Sequence, residues 1–322
     1  MKAKPFIKWA GGKSQLIDQL DDLLPADFDK WKDVTYIEPF VGGGAMLFYL
    51  LQNYPQIKRA IINDINQDLI TCYRTIQQKV EVLIDSLQEV ERRFLALPSH
   101  EKRKAFFLEA RDLYNGKNLE DIQNTTLFIF LNKTCFNGLY RVNGKGKFNV
   151  PFGRYERPII CDIHTLRLDS TLLQQVEILD GEYEQAFKYA QGHTLFYLDP
   201  PYRPISQTSS FTAYSKQSFD DEDQIRLKNF CDRIDKAGFH FMLSNSDSSI
   251  AEGRTSFFDL LYDAYKIERV WAPRCINVKS DKRGKLTEIL VHNYHKTKAM
   301  HKAQPVTSEK PSFPYTINPI FT

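Results

Sequence analysis

The stretch VTYIEPFVGGGAMLFYLLQNYPQIKRAIINDI, residues 34–65, decides the fold of this chain. It contains an apolar run at 34–40, three consecutive glycines at 42–44, an apolar segment of helical length at 45–51 and a second apolar run at 60–65. A strand, a glycine turn, a helix and a second strand in this order make one unit of an open α/β sheet. We therefore predict an α/β fold.

The glycine turn is followed by an acid, Asp64, at the end of the second strand. This arrangement is typical of nucleoside-binding α/β units, in which the carboxylate accepts hydrogen bonds from ribose hydroxyls. The turn reads GGGAML, so Leu47 stands where the dinucleotide fingerprint has its third glycine. This difference favours a nucleoside ligand without phosphates. The alternative is a tight turn in which Asp64 only caps the next helix, and the turn by itself leaves both interpretations open.

The pattern changes after Asn66, where apolar residues recur every three or four positions up to Pro98. Two further helices are predicted at 100–114 and 119–134, and a basic loop follows at 135–158. Strand-type runs then resume. These runs lie at 175–181, 193–201, 239–247 and 286–294, with a helical pattern at 220–237 and an earlier helix that begins near Ser14.

These patterns predict one domain with an insertion and a tail. Residues 1–66 and 159–295 are expected to form an α/β domain with a mostly parallel, twisted sheet. Residues 67–158 form an inserted helical subdomain that ends in a basic hairpin. The tail, 296–322, holds four prolines with little periodicity and is predicted to be flexible.

Composition excludes several classes of protein. With 322 residues, 42% hydrophobic and 26% charged, the chain lies in the ordinary globular range. No run approaches the roughly 18 apolar residues of a membrane span, and the basic N-terminus lacks the apolar region of a secretion signal. The cysteines lie far apart without zinc-ligand spacing, which predicts no metal site and reduced thiols in a cytoplasm; they are Cys72, Cys135, Cys161, Cys231 and Cys275.

Positive charge is concentrated in two windows, although the net charge of the chain is only +3. Residues 132–158 and residues 269–285 each contain six basic residues and one acid. Glycine, asparagine and aromatic residues stand among these charges, which suits loops that follow a phosphate backbone. From charge alone, two basic surface loops without a partner are an equal alternative.

The tetrapeptide Asp199-Pro200-Pro201-Tyr202 ends the apolar strand at 195–198, where an open α/β sheet presents its ligands. The exocyclic amine of a base is a poor nucleophile because its lone pair is conjugated with the ring. Two fixed acceptors, the Asp199 carboxylate and the Pro200 carbonyl, can draw this amine towards tetrahedral geometry. Tyr202 offers an aromatic face for a base removed from its helix. A proline turn with a capping aspartate is the less favoured alternative.

Five motifs, taken in order, resemble those of Dam-like DNA adenine-N6 methyltransferases of the alpha group, a family that includes GATC-modifying enzymes of restriction systems. They are FIKWAGGKSQL at 6–16, EPFVGGGAM at 38–46, NDIN at 63–66, LDPPY at 198–202 and LSNSD at 243–247. The resemblance covers nearly everything before the tail. It implies a Rossmann-like methyltransferase fold and methyl transfer from S-adenosylmethionine to the N6 amine of an adenine flipped out of duplex DNA.

The resemblance also implies roles for individual residues. Asp199, Pro200 and Tyr202 are the implied catalytic residues. Asp64 would bind the ribose of the cofactor, and Glu182 stands where relatives carry Gly-Asp-Phe near the adenine, although the residue types differ here. The full set of implied cofactor contacts is Trp9, Ala10, Gly11, Lys13, Phe40, Gly42, Asp64, Glu182 and Asp199.

The segment FNGLYRVNGKGKFNVPFGRY at 136–155 resembles the target-recognition hairpin of this family. Arg141 has two donors for a guanine, and Leu139 and Pro151 offer apolar contacts to a thymine methyl group. Phe136 is predicted to wedge into the base stack beside the extruded adenine. The remaining predicted contacts, to phosphates or flanking base edges, are Asn137, Lys145, Lys147 and Arg154. The implied recognition sequence is GATC; for the lysines, solvated loop charges are the alternative.

Other classes of protein explain fewer of these motifs. A nucleotide-dependent oxidoreductase leaves the tetrapeptide without a role, and the H-x-E and P-C-x-x-C motifs of a zinc-dependent base deaminase do not occur. An adenine methyltransferase with another recognition sequence, or one that acts on RNA, stays open. The expected partner is double-stranded DNA, bound by a monomer, with no membrane. Pairing with a restriction endonuclease, and a bacterial or a phage origin, are left open.

Overall fold

A computed structural model of the chain describes residues 2–203, 219–247, 256–272 and 286–295. The predicted tail, 296–322, lies outside the described residues, as do Cys275 and residues 273–285 of the second basic window. The four described cysteines are buried and free. Within the described ranges, no helix combines the length and the apolar character that crossing a membrane requires.

The sheet follows the predicted α/β pattern. In the described residues its strands are β1 (Val34–Glu38), β2 (Ile57–Asp64), β3 (Val176–Asp180), β4 (Thr194–Leu198), β5 (His240–Ser246), β6 (Lys266–Ala272) and β7 (Leu286–His292). They are ordered β3-β2-β1-β4-β5-β7-β6. β1 to β5 are paired in parallel, whereas β7 is antiparallel to both β5 and β6. The mostly parallel sheet confirms the predicted fold class.

The helices in the described ranges are α1 (Ile17–Asp22), α2 (Ala45–Asn53), α3 (Gln67–Leu95), α4 (His100–Asn115), α5 (Asp121–Thr134), α6 (Ile163–Leu173), α7 (Asp221–Lys236) and α8 (Phe257–Leu261). Most correspond to predicted helical patterns. The sequence analysis did not predict α6, α8 or β6. In β6 the adjacent charges of Glu268 and Arg269 interrupt the apolar run that would indicate a strand.

The strand order places a switch point between β1 and β4. From β1 the chain proceeds outwards to β2 and β3, and it then returns to the other side of β1 to form β4 and β5. Open α/β sheets bind ligands at such a point, beyond the carboxyl ends of the strands. The carboxyl ends of β1, β2 and β4 carry the glycine turn, Asp64 and Asp199. The fold therefore gathers the predicted cofactor and catalytic motifs at one edge.

The long helix α3 connects this edge to the rest of the helical segment. Asn66 caps its first turn, because its side chain accepts a hydrogen bond from the Leu69 N–H at 3.1 Å. The helix is kinked at Lys79, whose φ of −139° is not helical. It packs against α5 and α6, and one apolar core joins residues from 1–66, 67–158 and 159–295. The division into these segments stays a prediction.

The basic hairpin is supported by α4 and by its own tip. Val142 and Phe148 form an isolated antiparallel bridge. The Asn143 Oδ1 atom accepts hydrogen bonds from two backbone N–H groups of the tip, at 3.0 and 3.1 Å. On α4, the Asn115 side chain bonds both the N–H and the carbonyl of Phe148. The hairpin is therefore attached to the helical segment at a defined position.

Candidate active site

The glycine turn lies directly against the indole of Trp9. Gly42 and Gly44 adopt left-handed conformations, with φ of +48° and +72°. A Cβ on Gly42 would lie 2.8 Å from the Trp9 Cδ1 atom, and a Cβ on Gly43 would lie 3.1 Å from the Trp9 Cβ. Glycine is needed here both for the backbone conformation and for the close approach. We call the surface formed by the turn and the N-terminal motif the cradle; its two parts touch so closely that a side chain on Gly42 would overlap Trp9.

Asp64 connects the end of β2 to this turn. Its Oδ2 accepts a hydrogen bond from the Gly42 N–H at 3.0 Å, and its Oδ1 accepts one from the Asn66 N–H at 2.9 Å. Burial raises the pKa of Asp64, while the backbone donors of Asn66 and Gly42 lower it. The Tyr73 hydroxyl, on α3, donates to the Gly42 carbonyl at 3.0 Å. The N-terminal motif, the end of β2 and helix α3 therefore all hold the glycine turn in place.

Apolar side chains border the turn on the side of Asp64. Ile65, immediately after Asp64, is 56% exposed. The rings of Phe40 and Tyr183 are 5.0 Å apart. Glu182 is exposed and its carboxylate lies 3.4 Å from the Arg226 guanidinium. The sequence analysis did not single out Ile65, whose exposed apolar side chain follows Asp64 at the strand end.

Asp199 lies directly after β4 and faces a buried lysine of the N-terminal motif. The Lys13 Nζ is 3.1 Å from Asp199 Oδ1 and 3.3 Å from Glu288 Oε2, and the lysine side chain is only 3% exposed. The Tyr202 hydroxyl donates to Glu288 Oε2 at 2.6 Å and accepts a hydrogen bond from Lys13. The structure thus brings three predicted residues together and adds Glu288, which sequence reasoning missed. Its signal was an acid within an otherwise apolar strand.

The Asp199 carboxyl group has an altered affinity for its proton. The pKa of Asp199 is raised to about 6, and burial is the largest cause. The Lys13 ammonium acts to lower this pKa, and the Glu288 carboxylate acts to raise it. On β1, burial also raises the pKa of Glu38, whose Oε2 accepts a hydrogen bond from the Tyr36 hydroxyl at 2.8 Å. At neutral pH, Asp199 is therefore mostly ionised and can act as an acceptor. Across the described part of the chain, no group of three His, Cys, Asp or Glu residues could hold a metal ion.

The backbone of the tetrapeptide is braced from α7 and β5. The buried Gln224 donates to the Pro201 carbonyl at 3.3 Å and accepts a hydrogen bond from Asn245 at 3.0 Å. The Ser246 hydroxyl donates to the Arg203 carbonyl at 3.1 Å. Pro200 is buried, and among the described residues no donor bonds to its carbonyl. The Pro200 carbonyl therefore keeps its capacity to accept a hydrogen bond, and it belongs to the residue that follows Asp199.

The predicted DNA contacts lie on the hairpin and on the turn that precedes it. Phe136 is 52% exposed, and Asn137 beside it adopts a left-handed conformation with φ of +57°. The exposed Arg141 donates from Nε to the Asn149 Oδ1 at 2.8 Å. Asn149, which sequence reasoning missed, thus orients the guanidinium. Leu139 is half-buried, and the other members of the predicted set are exposed as well: Asn137, Lys145, Lys147, Pro151 and Arg154.

A buried asparagine joins the N-terminal motif to this recognition segment. The Asn132 Oδ1 atom accepts a hydrogen bond from the Lys8 N–H at 3.0 Å, and its Nδ2 donates to the carbonyls of Lys8 and Gly138 at 2.8 and 3.0 Å. The Trp9 ring stacks on Tyr140 at a centroid distance of 5.2 Å. The indole that supports the glycine turn therefore also contacts the recognition segment.

A comparison with protein families matches this arrangement. The profile of the D12 class of N6 adenine-specific DNA methyltransferases covers residues 9–276, which include the glycine turn, Asp199 and the hairpin. The chain belongs to this class. It is thus an adenine-specific DNA methyltransferase, which confirms the predicted family and the predicted class of enzyme.

Individual relatives support the same assignment over the length of the chain. The chain is 48% identical over 297 residues to the type II methyltransferase M.MjaIII of Methanocaldococcus jannaschii, covering 91% of this chain and 100% of that protein. It is 31% identical over 291 residues to a DNA adenine methylase of Haemophilus influenzae, covering 90% and 93%. A solved rRNA methyltransferase, aviRa from Streptomyces viridochromogenes, aligns over 87% of this chain and 83% of its own, with 13% identity and a TM-score of 0.31. That score is too low to add to the assignment.

Proposed function

We propose that this D12-class methyltransferase transfers a methyl group from S-adenosylmethionine to an adenine that is flipped out of duplex DNA, within the sequence GATC. The observation that carries the proposal is the position of Asp199 and the Pro200 carbonyl, at the sheet edge that also holds the glycine turn and Asp64. A cofactor on the turn and a base on the tetrapeptide would meet at this edge.

The residues at this edge fit S-adenosylmethionine. The Trp9 indole packs directly against Gly42, whereas a Cβ on Gly11 would meet no atom within 4 Å, so there is open space beside Gly11 of the N-terminal motif. The carboxylate of Asp64 can accept further bonds from ribose hydroxyls beside its two backbone bonds. When bound, S-adenosylmethionine supplies an electrophilic methyl group on a sulfonium. The residues assigned to it are Trp9, Ala10, Gly11, Lys13, Phe40, Gly42, Asp64 and Asp199, with Ile65 and Glu182 towards its adenine.

The residues of the chain act on the amine of the target base. Asp199 and the Pro200 carbonyl accept one hydrogen each from the N6 amine and draw its lone pair out of conjugation with the ring. Lys13 holds one oxygen of Asp199 at 3.1 Å, so the carboxylate keeps its direction. Tyr202 offers its ring to the extruded base. Because these groups are fixed before the base arrives, little reorganisation is needed during the reaction.

The rate of methyl transfer should fall as the pH is lowered through about 6. Asp199 accepts a hydrogen bond as a carboxylate, and its pKa of about 6 in the free enzyme means that protonation removes this acceptor below that pH. Values of kcat/KM measured between about pH 5 and about pH 8 should therefore show an acid limb with a slope of about one. A flat profile across this range would contradict the role of Asp199 as an ionised acceptor.

The recognition segment provides contacts that suit an extruded base in duplex DNA. Unpairing a base costs a few kcal/mol, which phosphate contacts from a basic hairpin can offset. Phe136 is exposed and can fill the space that the adenine leaves. Arg141, held by Asn149, retains Nη donors for the acceptors of a guanine. Leu139 and Pro151 are placed on the same segment for contact with a thymine methyl group, and Asn137, Lys145, Lys147 and Arg154 for phosphates or flanking bases.

Replacing Arg141 with alanine should relax specificity at one guanine by roughly 5- to 150-fold, because a bidentate arginine–guanine contact contributes about 1–3 kcal/mol of discrimination. Lys147→Ala on the same hairpin is the matched control. If Lys147 meets only phosphate, its loss should weaken binding to all sequences and reduce the salt dependence by about one unit of slope. Methylation kinetics on GATC duplexes and on duplexes substituted at each position measure both effects. Equal loss of discrimination in the two variants would refute the base-reading role of Arg141.

The proposed function as a whole is tested by incubating the purified protein with S-adenosylmethionine and unmethylated DNA and mapping the methylated bases. N6-methyladenine confined to GATC is the expected result. Methylated adenine in another sequence would overturn the GATC assignment alone, and stronger activity on RNA or single-stranded DNA would overturn the duplex substrate. We expect one copy of the enzyme on each DNA site, and measuring the molecular mass of the protein–DNA complex tests this. We also propose that the enzyme is paired with a restriction endonuclease, whose cleavage of the same sequence its methylation would prevent.

A further inference from the structure

Glu288 belongs to the cluster of charged side chains around Lys13 and Asp199, but the reaction proposed above gives it no role. Glu288 lies on β7, opposite Ser246 of β5 and Val270 of β6. Its Oε2 atom accepts the hydroxyl proton of Tyr202 at 2.6 Å and lies 3.3 Å from the Lys13 Nζ. The Glu288 side chain is 19% exposed, so both interactions occur largely away from solvent.

The backbone next to Glu288 is anchored on the other face of the strand. The Thr287 hydroxyl donates to Asp247 Oδ2 at 2.5 Å, and Asp247 also pairs with Arg269 of β6 at 3.2 Å. Neighbouring side chains of a strand point to opposite faces. This anchor therefore holds the strand without contact to Asp199, whereas Glu288 points towards the tetrapeptide.

We propose that Glu288 is a positioning residue for methyl transfer, which holds the Lys13 ammonium and the Tyr202 hydroxyl so that Asp199 and the ring of Tyr202 face the target adenine. This inference rests on the proposed role of Asp199. Lys13 lies between two carboxylates and would turn towards Asp199 alone if Glu288 were removed. The Tyr202 ring would lose the acceptor that sets its hydroxyl, and with it the fixed orientation of its face.

The same geometry gives Glu288 a signature in the pH profile. Six titratable groups among the described residues interact electrostatically with Asp199. They are Lys13, Tyr36, Glu38, Tyr197, Tyr202 and Glu288. Among them, the Glu288 carboxylate raises the pKa of Asp199 and the Lys13 ammonium lowers it. Removing the charge of Glu288 should therefore move the acid limb of the reaction to lower pH, although the rate on the plateau falls.

The test compares three variants of the full chain by kcat and KM across pH. Glu288→Gln should lower the plateau kcat by about tenfold, which corresponds to about 1.4 kcal/mol, and shift the acid limb downwards. Glu288→Asp keeps the charge but withdraws it by one methylene, so the limb should move less than in Glu288→Gln while kcat falls. Thr287→Val removes the anchor beside Glu288; it should lower thermal stability and leave the limb unmoved.

A double-mutant cycle with Tyr202→Phe provides the second measurement. Because Glu288 acts in part through the Tyr202 hydroxyl, Glu288→Gln should cost less in the Tyr202→Phe background than in the wild type. Additive effects, a wild-type profile in Glu288→Gln, or the same limb shift in Thr287→Val would each overturn the inference. Failure of the proposed function is recognised separately, since an active Asp199→Ala variant or a wild-type enzyme without an acid limb would remove the role of Asp199 itself.

Discussion

Replacing Asp199 with alanine should abolish measurable methyl transfer while binding of S-adenosylmethionine persists. The lost carboxylate acts on the amine of the target base and not mainly on the methyl donor. Loss of one preorganised electrostatic group typically lowers kcat by about 100- to 1,000-fold, and here the change also leaves the buried Lys13 with Glu288 as its remaining carboxylate partner. The acceptor and its orientation are therefore lost together, which makes this the largest effect we expect from a single substitution.

Single-turnover kinetics and titration calorimetry distinguish the two parts of this prediction. Calorimetry should show that cofactor binding persists, with a loss of affinity much smaller than the loss of rate, and rapid quenching should show the larger loss in the chemical step. Asp199→Asn keeps the shape of the side chain and one neutral acceptor, so its defect should be smaller. Glu81→Ala, which removes a carboxylate from an exposed ion pair with Arg167, is the control for a general loss of charge. Near-normal single-turnover chemistry in Asp199→Ala would sink the assignment.

Replacing Gly42 with alanine should lower the affinity for S-adenosylmethionine by about tenfold or more and also destabilise the fold. A left-handed conformation costs an L-residue about 1–2 kcal/mol, and forced overlap in a packed region adds about 1–3 kcal/mol. The new Cβ would lie 2.8 Å from the Trp9 ring, which is itself stacked on Tyr140. Trp9 cannot move away without disturbing the recognition segment, so the cradle must deform.

Gly192→Ala is a matched control for the backbone contribution. Gly192 has a φ of +54°, close to that of Gly42, but a Cβ there would meet no atom within 4 Å. Thermal melting should show some destabilisation in both variants, because both force a left-handed alanine. Calorimetry should show weaker cofactor binding in Gly42→Ala alone. A normal cofactor affinity in Gly42→Ala, or an equal loss in both variants, would mean that the glycine turn does not form the cofactor cradle.

The elements of this protein that the sequence predicts well are those with local causes. Apolar runs predicted β1, β2, β4 and β5, with glycine or proline beside β1, β4 and β5, and apolar spacing of three to four predicted α3, α4 and α5 within a few residues of their ends. The role predicted for the tetrapeptide also has a local basis, because its two acceptors, the Asp199 carboxylate and the Pro200 carbonyl, and the Tyr202 ring are close neighbours in the chain. Charged positions such as Glu268 concealed β6, whose stability comes from pairing with β7.

The sequence by itself determined the kinds of element, the glycine turn and the place of the tetrapeptide at a strand end, because each depends on neighbouring residues. Only the tertiary structure decided that Lys13, Asp199 and Glu288 meet, since this contact requires β7 to insert antiparallel between β5 and β6. It also decided that Trp9 lies between the glycine turn and Tyr140. Most of these contacts join residues more than a hundred positions apart. Strand order and register set them, and these depend on the packing of the whole core and not on any local pattern.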